Sequence, residues 1–155
     1  MNDAFTIRRA HWPQDREALR LVRETVFVQE QGVPLELEWD GRDAEALHLL
    51  AEDRHGLPVG TGRLLPDGHI GRMAVLAGWR GRGVGTALLR RLMELGLAQG
   101  HRRLVLAAQL TAVPFYQRLG FEPVGEVFQD AGIPHRRMIW RAPAGPGRQT
   151  MDAAL

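Results

Sequence analysis

A chain of 155 residues without cysteine, 45% hydrophobic and 25% charged, suits a single domain whose core needs no disulfide, and it rules out a cysteine nucleophile. Its calculated isoelectric point of about 10.3 is high because the chain has no lysine and one tyrosine; 20 arginines against 18 acidic residues leave a net charge of +2, poor support for a nucleic-acid partner. No apolar run approaches the roughly 18 residues that cross a bilayer, and the N-terminus shows no signal-peptide pattern, so a cytoplasmic protein with no membrane partner is expected.

In chain order, a short strand from Phe5 to Arg9 comes first. Trp12-Pro13-Gln14-Asp15 then enters a helix, in which Ala18, Leu19, Val22 and Val26 share one buried face until Gly32 and Pro34 break the period. Leu35 to Glu45 reads as acidic and irregular. Three strands follow, Ala46 to Glu52, Val59 to Leu65 and His69 to Val75. The turns His55-Gly56-Leu57-Pro58 and Pro66-Asp67-Gly68 make them an antiparallel meander.

Val84, Leu88, Leu92 and Leu95 mark the next helix, which Gly100 ends. Arg103 to Ala107 is a buried strand, and a second short helix carries Phe115 and Tyr116, with Gly120 placed as its left-handed terminator. Phe121 to Val124 and Arg136 to Trp140 read as the last two strands. The order predicts an α/β domain with a mixed, mostly antiparallel sheet flanked by helices. The domain is expected over residues 1–141, and the Pro/Gly/Ala-rich stretch 142–155 is expected to be disordered.

The strongest chemical signal is Met73-Ala74-Val75 followed by Arg80-Gly81-Arg82-Gly83-Val84-Gly85-Thr86. A strand feeds a glycine-rich turn, which feeds an amphipathic helix. Glycines let the backbone approach a phosphate, the first amides of the helix point at the anion, and Arg80 and Arg82 add charge-assisted hydrogen bonds. A P-loop needs a lysine that this chain lacks. A dinucleotide fingerprint needs a third small residue where Thr86 or Leu88 stands.

Arg80-x-x-Gly83-x-Gly85 is similar to the Gln/Arg-x-x-Gly-x-Gly/Ala signature of the GNAT superfamily of N-acetyltransferases, and the resemblance spans roughly Phe5 to Arg141. It implies the GNAT fold and acetyl-CoA as co-substrate. By the same resemblance, the loop amides from Gly81 to Thr86 would hold the pyrophosphate, and the backbone of Met73, Ala74 and Val75 would pair with the pantetheine arm. Pro114-Phe115-Tyr116-Gln117-Arg118-Leu119-Gly120-Phe121 resembles the family segment whose tyrosine acts as general acid, which assigns that role to Tyr116 and places Phe115 beside the cofactor. Gln109 stands where many relatives carry a cofactor-binding asparagine.

Val26-Phe27-Val28-Gln29-Glu30-Gln31-Gly32-Val33-Pro34, with Asp43 and His48 downstream and Gly132-Ile133-Pro134-His135 near the end, resembles the ElaA/YjcF-type branch. That likeness makes Glu30, Glu38 and His48 candidates for the acceptor side, with His69 as a further candidate base. Glu36, Asp40 and Glu45 read equally well as a solvated acidic face. The six histidines lack the spacing of a zinc site, so no metal is expected. The expected partner is a small-molecule or peptide amine. Among relatives homodimers are common, which leaves that state open. Two functions fit the cofactor turn: acetyl transfer to an amine by direct attack, or an acyl-CoA-binding module without efficient turnover.

Overall fold

A computed structural model describes residues 4–143 of the chain. Strand β1 (Phe5–Ala10) leads into helix α1 (Trp12–Arg23). Pro13 sits in the first turn of α1, where its missing N–H costs nothing, and the Asp15 carboxylate accepts the His11 N–H at 2.8 Å. Leu19 and Val22 are fully buried, as their spacing predicts. The helix then widens into a π-helical turn, Glu24–Glu30, marked by the Gln31 N–H reaching the Val26 carbonyl at 3.1 Å. Such turns are rare and gather at functional sites. The stretch read as irregular contains one helical turn, α2 (Leu35–Glu38), and a 3-10 turn at Asp43–Glu45.

Strands β2 (Leu47–Asp53), β3 (Pro58–Leu64) and β4 (Ile70–Val75) form the expected meander. With β1 at its edge they make a four-stranded antiparallel sheet, ordered β1-β2-β3-β4. Helix α3 (Val84–Ala98) precedes β5 (Arg103–Gln109), α4 (Val113–Arg118), β6 (Glu122–Asp130) and β7 (Ile133–Arg141). The last three strands form a second antiparallel sheet, ordered β5-β7-β6. Both final strands run further than their hydrophobic cores suggest. A bulge between Val124 and Phe128 lets the ladder continue, and Ala131-Gly132, with φ of 54° and 76°, closes a tight hairpin.

Among the described residues, the mixed sheet expected from the element order is two antiparallel sheets joined by one parallel bridge, His69 to Val105. The Val105 N–H donates to the Gly68 carbonyl at 3.1 Å there, and beyond it β4 and β5 separate. One apolar core still spans both sheets. Val84, Leu88, Leu89 and Leu92 of α3 pack with Leu49, Val59 and Leu64 of the first sheet and with Leu104, Leu106 and Met138 of the second. No helix among the described residues is long and apolar enough to cross a membrane. Of the stretch expected to be disordered, residues 144–155 lie outside the described residues. The Ala142 N–H donates to the Arg102 carbonyl at 2.9 Å, and an Arg102 Nη2–H donates to the Pro143 carbonyl at 2.8 Å.

Candidate active site

The parting of β4 from β5 opens a cavity of about 470 Å³. Met73, Ala74 and Val75 line one wall, with His69 near the bridge; Gln109 and Tyr116 line another, and Phe27, Gln31 and Glu38 close it from the N-terminal side. Hairpin residues Asp130, Ile133 and His135 complete the rim. Strand β4 is bulged: Thr61 faces Ala74 while Arg63 faces Gly71. Arg72 lies within the bulge at φ 51°, a left-handed conformation that is uncommon without glycine and that clusters at functional sites.

The glycine turn leaves its backbone uncovered on the outer side. Gly81 and Gly83 have φ of 76° and 86°, and nothing lies within 4 Å of where a Cβ would stand on either. Gly83 is the N-cap of α3 and no side chain caps the helix there, so its leading amides are offered outward. Val84 is buried in the core, while Gly85 faces the Phe115 ring, 3.5 Å from a would-be Cβ. Thr86 follows in the first turn of α3. The Arg82 guanidinium lies 4.8 Å above the Trp79 ring. The Arg80 Nε–H donates to the Val75 carbonyl at 2.9 Å, and its two Nη groups hold both Glu30 carboxylate oxygens at 2.6 and 2.7 Å.

Tyr116 packs edge-on to Phe115 and Phe121, at centroid distances of 5.0 and 6.1 Å, and only 9% of it is exposed. Its hydroxyl makes no hydrogen bond among the described residues, and it lines the cavity. Burial pushes its phenol up to about 12, so it holds its proton at neutral pH. Nearby, the Gln109 Nε2–H donates to the Gln31 Oε1 at 2.8 Å.

Several acidic residues of the N-terminal segment are engaged by arginines. Arg23 of α1, 1% exposed, donates to the Glu38 Oε2 at 2.6 Å and to the Asp43 Oδ1 at 2.7 Å. Arg63 of β3 donates to both Asp40 oxygens and to the Asp43 Oδ1 at 2.6–3.0 Å. Burial pushes the Asp43 carboxyl up, but Arg23 and Arg63 outweigh it and hold it below its ordinary value. Burial pushes the Glu38 carboxyl above its ordinary value, against the opposing pull of Arg23 and Arg72.

The predicted acceptor residues therefore separate. Glu38 and His69 line the cavity, His69 with its Nδ1 3.0 Å from the Asp67 Oδ1. Glu30 is spent on Arg80. His48 does not reach the cavity: it is 1% exposed, stacks on Trp12 at 5.4 Å, and donates from Nε2 to the Asp43 carbonyl at 2.8 Å. Burial lowers its pKa, which favours the neutral ring that this packing implies. Sequence reasoning missed Arg23, Arg63 and Arg72. One signal was available, since Arg23 lies four residues after Leu19 on the buried face of α1 and a charge there demands a partner.

The chain matches the family model described as an acetyltransferase (GNAT) domain over residues 16–142. It is 41% identical over 122 residues to the uncharacterized N-acetyltransferase YjcF of Bacillus subtilis, covering 76% of this chain and 86% of that protein. It is 34% identical over 126 residues to protein ElaA of Escherichia coli, covering 76% and 82%. The crystal structure of Escherichia coli ElaA superposes with a TM-score of 0.79 at 30% identity, over 88% of this chain and 99% of that one. The family model and the relatives match over most of the chain, and the solved structure matches its fold: the protein belongs to the GNAT acetyltransferase family and is an acyltransferase of the ElaA/YjcF type.

Proposed function

We propose that the protein transfers the acetyl group of acetyl-CoA to an amine by direct attack, with Tyr116 as general acid. The observation that carries this reading is a buried tyrosine on the cavity wall whose hydroxyl has no protein partner among the described residues and keeps its proton far above neutral pH. A neutral amine attacks the thioester carbonyl, the C–N bond forms, and the C–S bond breaks. Tyr116 gives its proton to the departing sulfur, and the new amide nitrogen releases one to solvent. A phenol near 12 is a poor acid in the ground state, so it acts only as negative charge develops on sulfur.

The uncapped start of α3 and the open faces of Gly81 and Gly83 support this turn as the pyrophosphate cradle, with Arg80 and Arg82 flanking it. The unladdered edge of Met73 to Val75 supports pairing with the pantetheine arm. His69 and Glu38, on the same cavity, are the acceptor-side groups in this reading.

A thiol-release assay with acetyl-CoA over a panel of amines tests the proposal. Tyr116→Phe keeps the ring packing and should slow release about tenfold or more, with acetyl-CoA affinity held within about twofold. Tight acetyl-CoA binding with no thiol release from any amine would make the protein an acyl-CoA-binding module instead.

A further inference from the structure

Resting on the acetyl-transfer reading, the geometry points to an acceptor amine that also carries an oxyanion, a carboxylate or a phosphate, received by Arg72. Three guanidiniums meet beside the cavity, and they are served unequally. Arg23 has two carboxylate partners within 2.7 Å, and Arg63 has three charged hydrogen bonds within 3.0 Å. Arg72 has the neutral Glu38 carbonyl at 3.1 Å and one long contact to the Asp40 Oδ2 at 3.4 Å. Its Nε lies 3.2 Å from the Glu38 Oε2 but makes no hydrogen bond, and its Nη1 has no protein partner among the described residues.

The carboxylate oxygens nearest Arg72, the Glu38 Oε2 and the Asp40 Oδ2, already accept shorter hydrogen bonds from Arg23 and Arg63, so Arg72 shares them on poorer terms. A half-buried cation left short of acceptors bears a desolvation cost that a ligand can return. Arg72 is placed for that. It lines the cavity, its side chain is 25% exposed, and the bulge that lifts it out of the β4 ladder fixes its backbone. A guanidinium fork matches two oxygens of one carboxylate or phosphate. Because three arginines and three acids cancel in this cluster, the preference comes from local geometry and is of moderate size.

The test compares acceptors with and without the oxyanion, each rate referred to its neutral-amine fraction: α-amino acids against their amides, and glucosamine 6-phosphate against glucosamine. The wild-type protein should favour one oxyanion-bearing set by about tenfold or more in kcat/KM, mainly through KM. The set that responds tells carboxylate from phosphate. Arg72→Gln should reduce the ratio within that set to about twofold and Arg72→Lys should retain part of it, with melting temperatures checking that each variant folds. Equal or better use of the uncharged members by the wild-type protein overturns the inference and leaves acetyl transfer standing. If no amine releases thiol, calorimetry of the same pairs on CoA-saturated protein decides. Selective binding of the oxyanion-bearing members keeps the inference while the transfer reading falls, and equal binding removes both.

Discussion

Both carboxylate oxygens of Glu30 lie on the Arg80 guanidinium, at 2.6 and 2.7 Å, across 50 residues of sequence. The pair ties the π-helical turn to the glycine loop, and it holds the Glu30 carboxyl below its ordinary value through the hydrogen bonds from Arg80. Both side chains are well exposed, at 40% and 44%, so the pair adds little to stability. Its effect is on the loop's charge. Glu30→Gln should tighten acetyl-CoA binding by about twofold to threefold, an advantage that shrinks as salt rises. Calorimetry at two ionic strengths measures it; equal affinities would show that Arg80 does not meet the anion.

Tyr116 is the sole tyrosine, so the near-ultraviolet signal of tyrosinate has one source. Burial moves its pKa from 10.0 to about 12. The unfolded chain gives up this proton first, so the contribution to stability is whole below pH 10 and declines as pH rises from 10 through about 12. Absorbance titration of the folded protein should show the late midpoint, and alkaline melting should show the falling stability. A midpoint at 10 would mean that the hydroxyl is open to water.

Gly83 separates strain from charge. Its φ of 86° penalises any side chain, so Gly83→Ala should cost about 1–2 kcal/mol of stability although space around it is open. Aspartate tolerates this conformation better, so Gly83→Asp should unfold no more easily than Gly83→Ala. Its acetyl-CoA affinity should nevertheless fall by at least about tenfold more, because a carboxylate then faces the pyrophosphate. Denaturant titration beside calorimetry reads the two effects apart. Similar affinities for the two variants would remove the cradle.

Arg23 balances two buried carboxylates, Glu38 and Asp43. Arg23→Met leaves the Glu38 carboxylate without its hydrogen-bonded cation and Asp43 with Arg63 alone, and should cost about 3–5 kcal/mol in chemical denaturation. Adding Glu38→Leu should recover part of that loss, since the pair then leaves together. No recovery would mean that Asp43 alone carries the coupling.

Most of the scaffold was legible because its signals are local. Helix period, hairpin turns and the glycine loop each lie within a few adjacent residues, and Tyr116 stands out through its motif. The charge network was not legible. Arg23, Arg63 and Arg72 come from α1, β3 and β4 and meet Glu38, Asp40 and Asp43 at separations of 15 to 34 residues, which no local pattern encodes. The acidic run around Glu38 thus reads as acceptor-side groups or a solvated face in one dimension and is neutralised in three. His48 was misdirected for the same reason, since its tight packing against Trp12 depends on the register between α1 and β2. The π-helical turn has no composition of its own, only a hydrogen bond that reaches one residue further.

The single bridge between His69 and Val105 carries one last consequence. Among the described residues the two sheets share almost no backbone hydrogen bonds, so their cooperativity passes through side chains in the common core. A strand-like ligand in the gap would act as a keystone, joining the halves by main-chain contacts that the chain does not provide for itself. Amides of β4 and β5 should then exchange with deuterium at distinct rates in the free protein and slow together when acetyl-CoA is bound.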